Sequence, residues 1–135
     1  MSPAIKNPAI ETALTSWHRI IASGDARPLR SLLAADCVFR SPVAYQPYHG
    51  AAPTERILAT AASVFQDFRY HRQFVSGNDV ALEFSARVGA VELKGIDLIH
   101  FDDNGLITEF EVMVRPATGL QALGQEMARR LGQAP

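Results

Sequence analysis

The spacing of apolar residues changes period near residue 67. Ahead of that point Ile10, Leu14, Trp17 and Ile21 recur at helical spacing and make one apolar stripe. Asn7-Pro8 in front of the stripe reads as an N-cap with proline at the first helical position, and Ser23-Gly24 ends the helix. Asp25 is placed to cap a second, short helix through Leu29, Leu32 and Leu33, and "CVFRS" then reads as a short strand. Ile57, Leu58, Ala61, Val64 and Phe65 predict a third amphipathic helix.

Beyond residue 67 the period is two. Phe68, Tyr70, Arg72 and Phe74 alternate with Arg69, His71, Gln73 and Val75. "SGND" is a turn, and in "VALEFSARV" Leu82, Phe84, Ala86 and Val88 share a face. Gly89-Ala90 gives a tight hairpin into "VELKGIDLIHF". "DDNG" turns the chain into "LITEFEVMVRP", which Pro116 ends. A final helix, "TGLQALGQEMARRL", carries Leu120, Leu123, Met127 and Leu131 on one side. Helices gathered ahead of antiparallel hairpins predict an α+β domain, with helices covering one face of a twisted sheet.

The 135 residues are read as one domain, residues 1–135. Hydrophobic residues make up 47% and charged residues 20%, and the net charge is −1. That balance gives no electrostatic reason to expect nucleic acid or an anionic membrane as partner. The single cysteine, Cys37, excludes an internal disulfide and fits a reducing compartment. "MSPAIKNPAIETAL" has no long apolar run, so neither a signal peptide nor a membrane span is expected, and a cytoplasmic protein is the simplest reading.

Asp97 is the most informative residue. It shares its strand face with Val91, Leu93, Gly95, Ile99 and Phe101, so a carboxyl interrupts an apolar surface. Burial there would raise its pKa and favour a neutral acid, either for a site or to bond a backbone group or indole for structural reasons. Trp17 lies on the helical stripe, where it packs in a core or lines a cavity, and its N–H needs an acceptor. His18, His49, His71 and His100 show no metal-ligand spacing; His18, His71 and His100 read as surface residues. His49 stands out through its aromatic, proline-rich setting, "FRSPVAYQPYHG". Cys37 reads as an inert thiol, Ser41 has no Gly-x-Ser-x-Gly context, and no glycine cluster forms a phosphate loop.

The segments "ASGDARPLRSLLAADCVFRSP", the "HG" before a helix, and "KGIDLIHFDDNGLITEFEVMVRP" resemble the nuclear transport factor 2-like superfamily, on its SnoaL-like and ketosteroid-isomerase-like side, over residues 10–116. The resemblance implies a cystatin-like α+β barrel: a cone-shaped, curved antiparallel sheet wrapped around N-terminal helices, with an apolar pocket inside and a C-terminal helix. It also implies a homodimer through the outer sheet face. Phe110, Val112 and Val114 should then look inward, and Glu109, Glu111, Met113 and Arg115 outward.

Related isomerases draw a proton with the aspartate of an Asp-Pro-Val sequence. Here the matching residues are Ser41-Pro42-Val43, and a hydroxyl cannot serve as that base. Their helix tyrosine, an oxyanion donor, matches Trp17. Their second donor, a protonated aspartate, matches Asp97; ketosteroid isomerase is the established example of such a neutral acid. The Asp-Arg-Asp pattern of the epoxide-hydrolase branch is broken at Gly95, while the single pocket acid of the cyclase branch is retained in Asp97.

The expectation is therefore a pocket for a small apolar or aromatic molecule, with Asp97 as the acid. Trp17, Ser41, Phe65, Phe84, Phe101 and Phe110 should line it, and Tyr45, Tyr48 and His49 should rim the mouth. No metal or cofactor is expected. The functions open at this point are an enzyme of the isomerase, cyclase or lyase kind, a non-catalytic binding module, and a dimerising domain whose pocket is filled by its own side chains.

Overall fold

A computed structural model describes residues 5–132; the first four residues of the N-terminal stretch and the last three of the chain lie outside it. Helix α1 spans Pro8–Ser23, with the Asn7 side chain accepting from the Ala9 amide and Gly24 closing the helix at φ 73. The short helix after Asp25 is one 3₁₀ turn, Leu29–Leu32. Asp25 instead caps the Arg27 amide and pairs with the Arg27 side chain. Strand β1, Leu33–Arg40, starts earlier than "CVFRS", and β2 is a two-residue strand, Tyr48–His49, that the sequence does not announce. Helix α2 spans Ala51–Val64. Strands β3 (Gln66–Ser76), β4 (Asp79–Val88), β5 (Val91–Phe101) and β6 (Ile107–Arg115) follow, and α3 (Ala117–Arg130) closes the chain. Among the described residues no helix is long and apolar enough to cross a membrane.

The six strands form one curved, unclosed sheet in the order β2-β1-β6-β5-β4-β3. It is mixed rather than wholly antiparallel, because β1 runs parallel to β6. The first strand precedes α2 and so is no hairpin partner of the later strands; it joins the sheet beside the last of them. The inner face and the helices share a core in which Ile10, Leu14, Leu82, Ile99, Phe101 and Phe110 are buried. The inward set of β6 is Phe110, Val112 and Val114, as expected, with Met113 on the outside.

Strand β3 departs from simple alternation. Tyr70 pairs with Phe84 and Gln73 with Leu82, so three steps on β3 oppose two on β4. This bulge shifts the phase. Phe68 and Tyr70 face inward, but the following inward residues are Gln73 and Val75. Arg72 turns out to pair with Glu83, and Phe74 is 55% exposed. A second bulge at Asp67, where φ is 53, bends the start of the strand. Together these bulges curve the sheet around α1 and re-aim Tyr70 at the interior.

Candidate functional site

Asp97 sits in the middle of β5, paired with Leu82 on one side and Val112 on the other. Both neighbouring side chains are apolar, and Asp97 is 5% exposed. Gly95, two residues earlier on the same face, makes room for the Phe84 ring. A Cβ there would run into the Phe84 ring and the Met113 carbonyl, so glycine lets that ring fold across the sheet beside the acid.

Three side chains from three elements meet at this point. Trp17, on the inner stripe of α1, donates its indole N–H to Tyr70 Oη at 2.9 Å. Tyr70 Oη donates to Asp97 Oδ2 at 2.6 Å. The indole end of this chain is fixed, because an indole nitrogen can only donate; the phenol passes its single proton to the Asp97 carboxylate. Oδ2 is therefore the accepting oxygen, and it stays so as long as Tyr70 keeps this bond. When Asp97 is protonated its proton belongs on Oδ1. Asp97 makes no other side-chain hydrogen bond among the described residues, none of which leaves a buried polar side-chain atom unpartnered, so Oδ1 opens to the cavity that Asp97 lines.

Burial raises the Asp97 carboxyl to about 7, while the Tyr70 hydrogen bond pulls the other way. Burial, reinforced by the charge of Asp97, holds the Tyr70 phenol well above its ordinary value, so it stays a donor. The Tyr70 ring is held by the edges of its neighbours, with Phe68 at 4.9 Å and His18 at 5.3 Å between ring centroids. Trp17 rests on Phe110 at 5.1 Å.

The cavity has a volume of about 880 Å³ and is largely apolar, at the larger end of small-molecule sites. Trp17, Ser41, Phe65, Asp97 and Phe110 line it, and so does Tyr48. The remaining expected residues lie elsewhere. Phe84 is buried behind the wall, stacked under Phe68 at 4.9 Å, and Phe101 is wholly enclosed in the core. Tyr45 is 98% exposed on the loop after β1 and does not reach the cavity. His49 is exposed as well: it follows Tyr48 on β2, and successive strand residues point to opposite faces. Ser41 Oγ accepts from the Val43 amide, so this hydroxyl shapes the loop.

Tyr70 is the site residue that sequence reasoning missed. The unmet need of the Trp17 N–H was its only signal, and the β3 bulge is what brings an acceptor there. The cavity also takes one face of α3, which the sequence presented only as a packing helix. Among the described residues Asp97 is the sole carboxyl on the cavity wall, and no three His, Cys, Asp or Glu side chains are grouped to hold a metal.

The SnoaL-like domain family matches residues 14–110. Among solved structures, a steroid delta-isomerase from Pseudomonas aeruginosa is 55% identical, with 98% of this chain and 96% of that chain covered and a TM-score of 0.93. An uncharacterised protein with a cystatin-like fold from Silicibacter pomeroyi is 34% identical over 95% of this chain and 91% of that one, at a TM-score of 0.86. An NTF2-like protein of unknown function from Mesorhizobium loti shares the fold at 17% identity and a TM-score of 0.74, with 85% and 98% covered. No match was found among curated proteins. With the family pattern covering most of the chain and a curved sheet folded around its helices, this protein belongs to the SnoaL-like family of the NTF2-like fold.

Proposed function

We propose that this protein binds a rigid, largely apolar carbonyl compound and polarises its carbonyl through a hydrogen bond from Asp97. The observation that carries this reading is the one-way chain Trp17 to Tyr70 to Asp97, which leaves the Oδ1 proton for the ligand. A neutral acid in an apolar wall is a strong donor because no water competes for it. The 55% identity to a steroid delta-isomerase supports a steroid ketone as the ligand class.

The test uses the chain's single tryptophan, which lines the cavity, as a fluorescence reporter of testosterone binding. A ketone accepts but cannot donate, so binding requires protonated Asp97. Affinity should hold below about pH 7 and fall about tenfold per pH unit above it. Asp97→Leu should weaken binding about tenfold at pH 6 and remove the pH dependence. An affinity that stays level from acid to alkaline pH would refute the reading.

A second reading, catalysis, is favoured by the same isomerase relative. With its carboxyl at about 7, Asp97 is half ionised near neutrality and matched to proton transfer there. The carboxylate would take a proton from the carbon between a ketone and an isolated double bond, then return it at the far alkene carbon, moving the double bond into conjugation. Growth of conjugated-enone absorbance from a β,γ-unsaturated steroid ketone tests it. Ser41→Asp, which puts a second carboxyl on the cavity wall, should accelerate that conversion. No conversion by either protein removes this reading and leaves binding intact.

The outer sheet face supports a homodimer as a further part of the proposal. Ile96, Leu98 and Met113 form an apolar centre, framed by Arg72, Glu83 and Lys94 on one side and by Arg40 and Glu109 on the other. A two-fold interface uses one patch twice, and an apolar centre with a rim of internally paired charges suits that use. A cytoplasmic setting fits the free, buried thiol of Cys37.

A further inference from the structure

The cavity wall carries one acid and no basic side chain. Among the described residues that line it there is no lysine, arginine or histidine, and its other polar groups, such as Ser41, Tyr48, Thr118, Gln121 and Gln125, are uncharged. Seven of the lining residues are aromatic, with Trp17, Phe65, Phe68 and Tyr70 among them. The charged residues closest to Asp97 along the sheet are Glu83, Lys94 and Glu111, and alternation turns all three to the outer face. Tyr70 from β3, backed by Trp17 from α1, gives Asp97 a hydrogen bond but no charge. His18 of α1 stands perpendicular to the Tyr70 ring and bonds to Gln73 at 3.1 Å. Helices α2 and α3 bring only uncharged residues to the wall.

A carboxylate in such a place is costly, because burial strips its water and no partner charge replaces it. With its carboxyl at about 7, the folded protein carries that charge at neutral and alkaline pH. An entering cation supplies the missing counter-charge. Aromatic rings attract the same cation through their negative faces, most strongly where water is excluded. We infer that the cavity is also a site for a lipophilic ammonium ion, with one N–H donated to Asp97 Oδ1 and the apolar body set against the aromatic walls. The ammonium needs ionised Asp97, whereas a ketone needs the protonated form. One cavity therefore takes two ligand classes in opposite pH ranges, and the ammonium site stands or falls separately from the ketone-binding reading.

Calorimetric titration compares 1-adamantanamine, an ammonium ion up to about pH 10 as a lysine side chain is, with 1-adamantanol, its neutral match in shape. Amine affinity should rise about tenfold per pH unit up to about pH 7 and then level off, because it follows the ionised fraction of Asp97. Adamantanol can donate to the carboxylate or accept from the acid, so its affinity should change far less. At pH 8 the amine should bind about tenfold more tightly than the alcohol. Asp97→Asn should keep the alcohol, lose that advantage of the amine, and show no pH dependence, which excludes His18 as the titrating group. The wild-type comparison stands without the variant. An amine that binds no better than the alcohol at pH 8, that does not bind at all, or that binds Asp97→Asn as well as wild type overturns the ammonium site. Testosterone in the same buffers keeps the two readings apart. Affinity for it that falls above about pH 7 leaves the ketone-binding reading standing whatever the amine does. Amine binding without testosterone binding leaves the ammonium site alone.

Discussion

Replacing Asp97 with asparagine (Asp97→Asn) keeps the shape of the site and removes its titration. The folded chain holds the Asp97 proton up to about pH 7, whereas the unfolded chain releases it near the ordinary value of 3.8. At 1.36 kcal/mol per pKa unit this difference is worth about 4 kcal/mol. The sign follows from which state binds the proton more tightly. Below about pH 4 both states are protonated, and the contribution is fully present. Between about pH 4 and 7 the unfolded chain ionises first, so native stability declines. Above about pH 7 the folded site carries a buried charge and the loss is complete. Asp97→Asn has no such loss; its amide oxygen can accept from Tyr70 while its N–H faces the cavity. Urea unfolding of both proteins across this pH range, at fixed ionic strength, isolates the effect because every other group is shared. The advantage of the variant should grow with pH by about 4 kcal/mol and then level off. Against a usual domain stability of about 5–15 kcal/mol this is easily measured. Parallel stability curves would mean that Asp97 titrates normally and that the buried neutral acid is wrong.

Three further outcomes follow from the same geometry. Tyr70→Phe removes the only side-chain bond to the carboxylate, so Asp97 should titrate higher and ketone binding should persist to higher pH in the Trp17 fluorescence titration; the unpaired indole N–H should cost about 1–3 kcal/mol in urea unfolding. Gly95→Ala drives a methyl into the Phe84 ring and should lower stability by about 1–3 kcal/mol, partly restored by adding Phe84→Leu; a neutral result in thermal unfolding would show that the ring does not cover Gly95. Leu98→Glu places a charge at the centre of the proposed dimer face and should yield a monomer in sedimentation analysis, while a wild-type chain that already sediments as a monomer removes the dimer.

Much of the candidate site was legible before any coordinates. Asp97 broke a period-two apolar face, and Trp17 lay on a helical stripe with an N–H to satisfy; both are found on the cavity wall. Tyr70 was not legible as a site residue. Alternation alone placed it with Arg72 and Phe74, and a bulge can be located only from the partner strand's register. Tyr45 and His49 illustrate the reverse case. Their aromatic, proline-rich surroundings resembled a pocket rim, but a two-residue strand turns His49 outward and the loop crest leaves Tyr45 in solvent.

The sequence by itself determined the order of the helices and the longer strands and the inward faces of β4, β5 and β6, because local periodicity carries that information. The tertiary structure decided what period and identity cannot encode. Pairing across the sheet put β1 parallel to β6, and the β3 bulge aimed Tyr70 inward. The packing of α3 against the cavity decided which of its residues line it. Each of these depends on contacts between segments far apart in the chain. The chemistry of Asp97 lies between the two: its place on an apolar face is local, but its raised pKa comes from burial among elements far apart in the chain, and the direction of its proton from Tyr70 and Trp17, which the fold brings to it.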